Sequence, residues 1–146
     1  MTTRVDFFRL GGEDGDAVPR AACMVAGKAY ASGYGVLVLA TSEALLSDLD
    51  TRLWTYRAGS FVPHARLEHR DPEAPEPVVL ASDCADPGGA QVLVCASPPP
   101  MECLSGFQRV AEFVPPDSAG REAARSRYKA YRESGFELHT HDLRVN

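Results

Sequence analysis

Residues 35–40 read Gly-Val-Leu-Val-Leu-Ala, a run with no polar side chain, bounded by glycine before and by Thr41-Ser42 after. A strand with water on one face alternates apolar and polar residues. An uninterrupted apolar run of this length therefore belongs to a strand covered on both faces, as in a parallel sheet between helices. The flanks carry helical periodicity. Before the run, Val18, Ala22, Val25, Ala26 and Ala29 recur at intervals of three and four and end near Gly33, with Asp16 placed to cap the helix and Pro19 tolerated in its first turn. After it, Leu45, Leu49 and Leu53 form a stripe with Leu46 beside it, Thr41 or Ser42 stands at the cap, and Glu43 lies in the positive first turn. Val5, Phe7, Phe8 and Leu10, interleaved with Asp6 and Arg9, predict a strand ahead of the first helix. Strand, helix, strand, helix is the order of a parallel sheet built with right-handed crossovers.

The pattern breaks over residues 55–64 and continues into an acidic, proline-bearing loop that ends at Pro77. Residues 77–81 and 91–96 predict two further strands. Ser97-Pro98-Pro99-Pro100 closes the second, because three consecutive residues lack an amide donor. Residues 107–114 resume strand character until Pro115-Pro116. Asp117 or Ser118 caps a last helix that runs to about Ser134, with Gly135 as a left-handed stop, and residues 136–146 read as a short polar tail. Neither an internal repeat nor a long linker divides the 146 residues, a length that suits one domain. The expectation is one α/β domain over residues 1–146: a mostly parallel sheet flanked by helices, similar to nucleotide-binding folds.

Several chemistries find little support. Gly11-Gly12-Glu13-Asp14-Gly15-Asp16 is glycine-rich, but no Gly-Lys-Ser/Thr or Gly-x-Gly-x-x-Gly follows, and its three acids would repel a phosphate. A fold without a phosphate-binding loop is expected. His139 and His141 share a face if extended, with Asp142 next to them, yet a third metal ligand would have to come from elsewhere, so no metal and no cofactor is expected. No Gly-x-Ser-x-Gly elbow or other nucleophile motif occurs, and no catalytic residue is assigned. Cys23, Cys84, Cys95 and Cys103 have no close spacing and read as buried thiols. With no targeting segment and no apolar run near 18 residues, a cytoplasmic protein without membrane contact is expected.

The last helix stands apart electrostatically. The chain carries a net charge of −5, which argues against coating nucleic acid with its whole surface, while residues 117–134 hold five basic and three acidic side chains. Arg121, Arg125, Tyr128, Lys129 and Arg132 follow helical spacing along one broad face. Cations near a helix C-terminus are favourable in themselves, and a tyrosine can rest its ring on a core, so this face has an ordinary structural explanation. It also suits an acidic peptide with an apolar end, or single-stranded nucleic acid with phosphates on the arginines and bases on the tyrosine. Trp54, one position beyond the leucine stripe, and Phe61 mark a second aromatic patch.

Two strings resemble a known family, the chi subunit of bacterial DNA polymerase III: Leu53-Trp54 continuing to Ser60-Phe61-Val62-Pro63-His64, and Ala124-Arg125-Ser126-Arg127-Tyr128-Lys129-Ala130-Tyr131-Arg132 ending at Gly135-Phe136. The likeness runs from the first strand to about Leu138, with residues 67–76 and 97–105 divergent. The resemblance implies a non-catalytic replication adaptor of the clamp-loader assembly that binds the acidic C-terminal tail of single-stranded DNA-binding protein. The tail-site positions it implies are Arg125, Tyr128, Lys129, Gly135, Phe136 and, more weakly, Val110; the charge stripe adds Arg121 and Arg132. It further implies a second surface, at Trp54 and Phe61, for a psi subunit or an accessory helicase, and an indirect association with single-stranded DNA. Glu133-Ser134 before Gly135 departs from the family pattern and places an acid near the implied site. A direct single-stranded nucleic-acid-binding module is the alternative.

Overall fold

The computed structural model describes residues 2–11, 16–55, 62–69 and 76–144. Along the chain these form β1 (Arg4–Leu10), α1 (Ala17–Ala31), β2 (Val36–Leu39), α2 (Glu43–Thr55), β3 (His64–Arg66), a 3-10 turn at Leu67–His69, β4 (Val78–Ala81), β5 (Val92–Cys95), a 3-10 turn at Met101–Gly106, β6 (Arg109–Val114), α3 (Ser118–Glu133) and β7 (Glu137–Leu143). The strands make one sheet in the order β3-β4-β2-β5-β6-β1-β7, and every neighbouring pair is parallel.

The apolar run that constrains the fold lies near the middle of this sheet. All four residues of β2 are buried, as are those of its neighbours β4 and β5. Val36 and Val38 join Ala22, Ala26, Leu49 and Leu53 in a core beneath α1 and α2, while Leu37 and Leu39 join Val5, Phe7, Leu93 and Tyr131 on the opposite face, beneath α3. The connections β1 to β2 and β6 to β7 run in opposite directions along the sheet, and right-handed crossovers then place α1 and α3 on opposite faces.

Local signals explain the helix ends. The Ser42 hydroxyl accepts from the Leu45 amide at 3.1 Å, and Asp117 accepts from the Gly120 amide at 2.8 Å. Asp16 stands before α1 but makes no capping bond with its side chain, and instead pairs with Arg52 at 3.3 Å. At the end of α3, Gly135 takes φ +89°, its amide donates to the Arg132 carbonyl, and the Phe136 amide donates to the Tyr131 carbonyl. The Phe136 ring closes the motif edge-on against Tyr131, with centroids 6.0 Å apart.

Three readings are corrected. The polar tail is a seven-residue strand, β7, in register with the whole of β1. His64–Arg66, inside the region read as irregular, is the short edge strand β3. Cys84 and Cys103 are joined as a disulfide between the loop after β4 and the 3-10 turn before β6, leaving Cys23 and Cys95 as buried thiols. The glycine-rich connection at 12–15 lies outside the described residues.

Candidate functional site

α3 meets the sheet through few residues. Only Ala124 and Tyr131 are buried in it. Beneath it stands Glu112 of β6, 1% exposed, whose Oε2 accepts from the Tyr131 hydroxyl at 2.5 Å and from Arg127 Nε at 3.1 Å. Burial pushes the Glu112 carboxyl above its usual range, partly opposed by the Arg127 charge and the two hydrogen bonds. Burial and the adjacent carboxylate likewise push up the Tyr131 hydroxyl and the Cys95 thiol. Arg127 is thus committed to the fold, and the remaining cations of the helix face outward.

Near the first half of α3, beyond the carboxyl ends of β1, β6 and β7, lies an open groove of about 780 Å³. Here the chain leaves β1 toward α1 on one face and β6 toward α3 on the other. The carboxyl ends of parallel strands are where open α/β sheets hold ligands. Phe7, Val114, Leu143 and Ala124 supply apolar lining; Arg9, Arg121, Arg125 and Arg144 supply cations, and Tyr128 stands among them. The short side chain at Ala124 leaves room between helix and strands. Gly120 allows the first turn close to Pro115, whose Cγ would lie 2.7 Å from an added Cβ. Tyr128 is half-buried, its ring edge-on to Phe7 at 5.3 Å, and is held by packing. Arg121, Arg125 and Arg144 have no ion-pair partner among the described residues, whereas Arg9 pairs with Asp142 at 2.9 Å. A cationic cleft with an aromatic wall and an apolar lining can hold an anionic chain that carries an apolar group.

Of the residues singled out in the sequence, Arg121, Arg125 and Tyr128 line this groove. Lys129 and Arg132 are exposed on α3 but are not among its lining residues, and Gly135 and Phe136 form the helix stop at the far end. Val110 is buried at 1% exposure in the core beneath α3. Sequence reasoning overlooked Arg9, Val114, Leu143 and Arg144, at or just past strand ends, and Thr140 in the middle of β7; reading the carboxyl ends of the predicted strands would have reached Arg9 and Val114.

Trp54 lies at the end of α2 and is 56% exposed, with its ring edge-on to His64 at 5.1 Å. His64 is buried between α2 and the chain entering β3: Nε2 is 2.9 Å from Asp50 Oδ1 and Nδ1 is 2.7 Å from the Val62 carbonyl oxygen. Phe61 lies outside the described residues. On the sheet face away from α3, His141 bonds Asp6 at 2.8 Å and His139 bonds Glu137 at 2.8 Å. No group of three or more metal-ligating side chains occurs among the described residues. No described helix is long and apolar enough to cross a membrane.

Comparison with known proteins gives one family. Residues 1–139 match the family described as DNA polymerase III chi subunit, HolC. The chain is 37% identical over 143 residues to DNA polymerase III subunit chi of Pseudomonas aeruginosa, covering 97% of both chains. It is 34% identical over 125 residues to the Escherichia coli protein of that name, covering 85% of this chain and 84% of the relative, and 30% identical over 144 residues to that of Haemophilus influenzae, covering 98% and 99%. Among solved structures, that of T4 UvsW superposes with a TM-score of 0.71 at 9% identity, covering 99% of this chain and 42% of that one, a likeness of fold alone. With the match spanning almost the whole chain, this protein belongs to the DNA polymerase III chi subunit family.

Proposed function

We propose that this protein is a replication adaptor whose groove beside α3 holds the acidic C-terminal tail of single-stranded DNA-binding protein. The observation that carries the reading is the cluster of Arg9, Arg121, Arg125 and Arg144 around Tyr128 and an apolar lining, in a chain whose net charge is −5. Aspartates of the tail meet the guanidinium groups, and the terminal aromatic residue leaves water against Tyr128, Phe7 and Val114. The charges are exposed and give encounter and orientation; the buried aromatic group gives most of the residence time. Lys129 and Arg132 extend the positive field along α3. Docking of a flexible tail raises the local concentration of the replication machinery near single-stranded DNA.

A second surface, centred on Trp54, takes a psi-like partner that joins the adaptor to the clamp loader. Support for this part is the exposure of a large indole ring on the side of the fold occupied by α2, away from the groove.

Titration calorimetry with a synthetic peptide of several aspartates ending in phenylalanine tests the groove. Arg125→Ala is expected to weaken binding by about three- to tenfold, and Tyr128→Ala by tenfold or more, with circular dichroism unchanged. Lys129→Ala is expected to weaken it less. Unchanged peptide affinity in both Arg125→Ala and Tyr128→Ala would refute the assignment. An oligonucleotide that binds tightly where the peptide does not would give the groove to single-stranded nucleic acid instead.

A further inference from the structure

The groove contains one acid among its lining residues, and its position follows from the sheet. Asp142 and Arg9 stand opposite each other in the parallel register of β1 and β7. Arg9 Nε lies 2.9 Å from Asp142 Oδ1 and an Arg9 terminal nitrogen 3.3 Å from Oδ2, a two-pronged pairing. Their side chains are 60% and 78% exposed, so the pair adds little to folding. Resting on the reading of the groove as a site for an acidic peptide, we propose that Asp142 limits the affinity of the groove for acidic chains. It neutralises Arg9 and repels incoming anions, so the groove binds acidic chains more weakly than its arginines alone would.

The remaining cations, Arg121, Arg125 and Arg144, have no such counterpart among the described residues. A ligand with a single carboxylate gains from these three but meets the repulsion of Asp142. A ligand with several carboxylates meets that repulsion at each of its charges, so the penalty set by Asp142 grows with the acidity of the ligand. Two charges separated by several ångströms at a wet surface change affinity by a factor of only a few, and salt reduces the effect. Asp142 therefore tunes the site and does not close it.

The test is fluorescence anisotropy of the intact protein with two labelled peptides, one of several aspartates ending in phenylalanine and its counterpart with asparagines. Asp142→Asn is expected to tighten the acidic peptide about three- to tenfold in low salt, with the gain shrinking in high salt, and to leave the asparagine peptide within about twofold. Arg9→Ala alone is expected to weaken the acidic peptide about three- to tenfold, because Asp142 is then unanswered, and Arg9→Ala combined with Asp142→Asn to return the affinity to within about twofold of the parent. No gain in Asp142→Asn, an equal gain for the asparagine peptide, or a loss in Arg9→Ala that adding Asp142→Asn does not reverse would each overturn the proposal. In those cases the parent still binds the acidic peptide and the groove assignment stands. A parent protein that fails to bind it removes both. Thermal melts of all variants at the parent temperature exclude misfolding as the cause.

Discussion

Replacing Tyr131 by phenylalanine isolates one buried hydroxyl. The ring keeps its packing on Phe7, with centroids 5.8 Å apart, and its edge contact with Phe136. What disappears is the donor to Glu112 Oε2, leaving Arg127 as the remaining donor to that oxygen. A hydrogen bond to an ionised acceptor is worth about 1.5–3 kcal/mol, against about 1 kcal/mol for a neutral pair. The penalty therefore depends on the charge of Glu112. Burial holds that carboxyl above its ordinary value of 4.5, so the stability it contributes is complete below that pH and is lost as pH rises through the folded-state value. Removing the tyrosine donor raises the folded-state value further and extends the loss upward. The expected cost is thus about 1 kcal/mol near pH 4 and about 2–3 kcal/mol at pH 8. Urea titrations followed by circular dichroism at both pH values measure it. A cost below about 0.5 kcal/mol at pH 8, or one that does not change with pH, would refute the view that α3 is anchored through this carboxylate.

Two further perturbations address the other buried polar features. Asp6 is 3% exposed; burial alone would raise its carboxyl, but hydrogen bonds from His141, Arg4 and Arg109 outweigh burial and hold it low, so its stabilisation is present above the unfolded value and is lost as pH falls through the folded one. Asp6→Asn should cost about 1–3 kcal/mol at pH 7 and progressively less in acid, read from chemical denaturation across pH. The Cys84–Cys103 disulfide spans 19 residues of sequence, and closing such a loop is worth about 3 kcal/mol. Reductant should lower the melting temperature of the parent but not of Cys84→Ser/Cys103→Ser, and the intact mass without reductant should be two hydrogens lower than with it.

Much of the architecture follows from local patterns that need no tertiary context. The apolar run at 35–40, the leucine stripe of α2 and the small-residue stripe of α1 state their own burial, and Ser42, Asp117 and Gly135 mark helix ends through bonds within one turn. The edge strands escaped because their environment differs. β7 pairs only with β1 and has no fully buried position, so Glu-Leu-His-Thr-His-Asp-Leu tolerates the polar residues that a central parallel strand excludes. β3 has three residues, too few to show a period. The disulfide joins segments that no spacing rule connects, since Cys84 and Cys103 meet only through the folding of the sheet.

The site divides in the same way. The charge of α3 and the helical spacing of Arg121, Arg125 and Tyr128 are properties of one segment, and sequence alone placed them together. Whether Arg127 belonged with them depended on Glu112, which lies beneath the helix on another strand and claims that guanidinium. The other wall of the groove is made by Arg9, Val114, Leu143 and Arg144, side chains brought together by the parallel alignment of β1, β6 and β7. A periodic sequence states which way a side chain faces from its own helix or strand. Which distant side chains it meets there depends on strand order and register, and these emerge when the whole sheet buries its two faces.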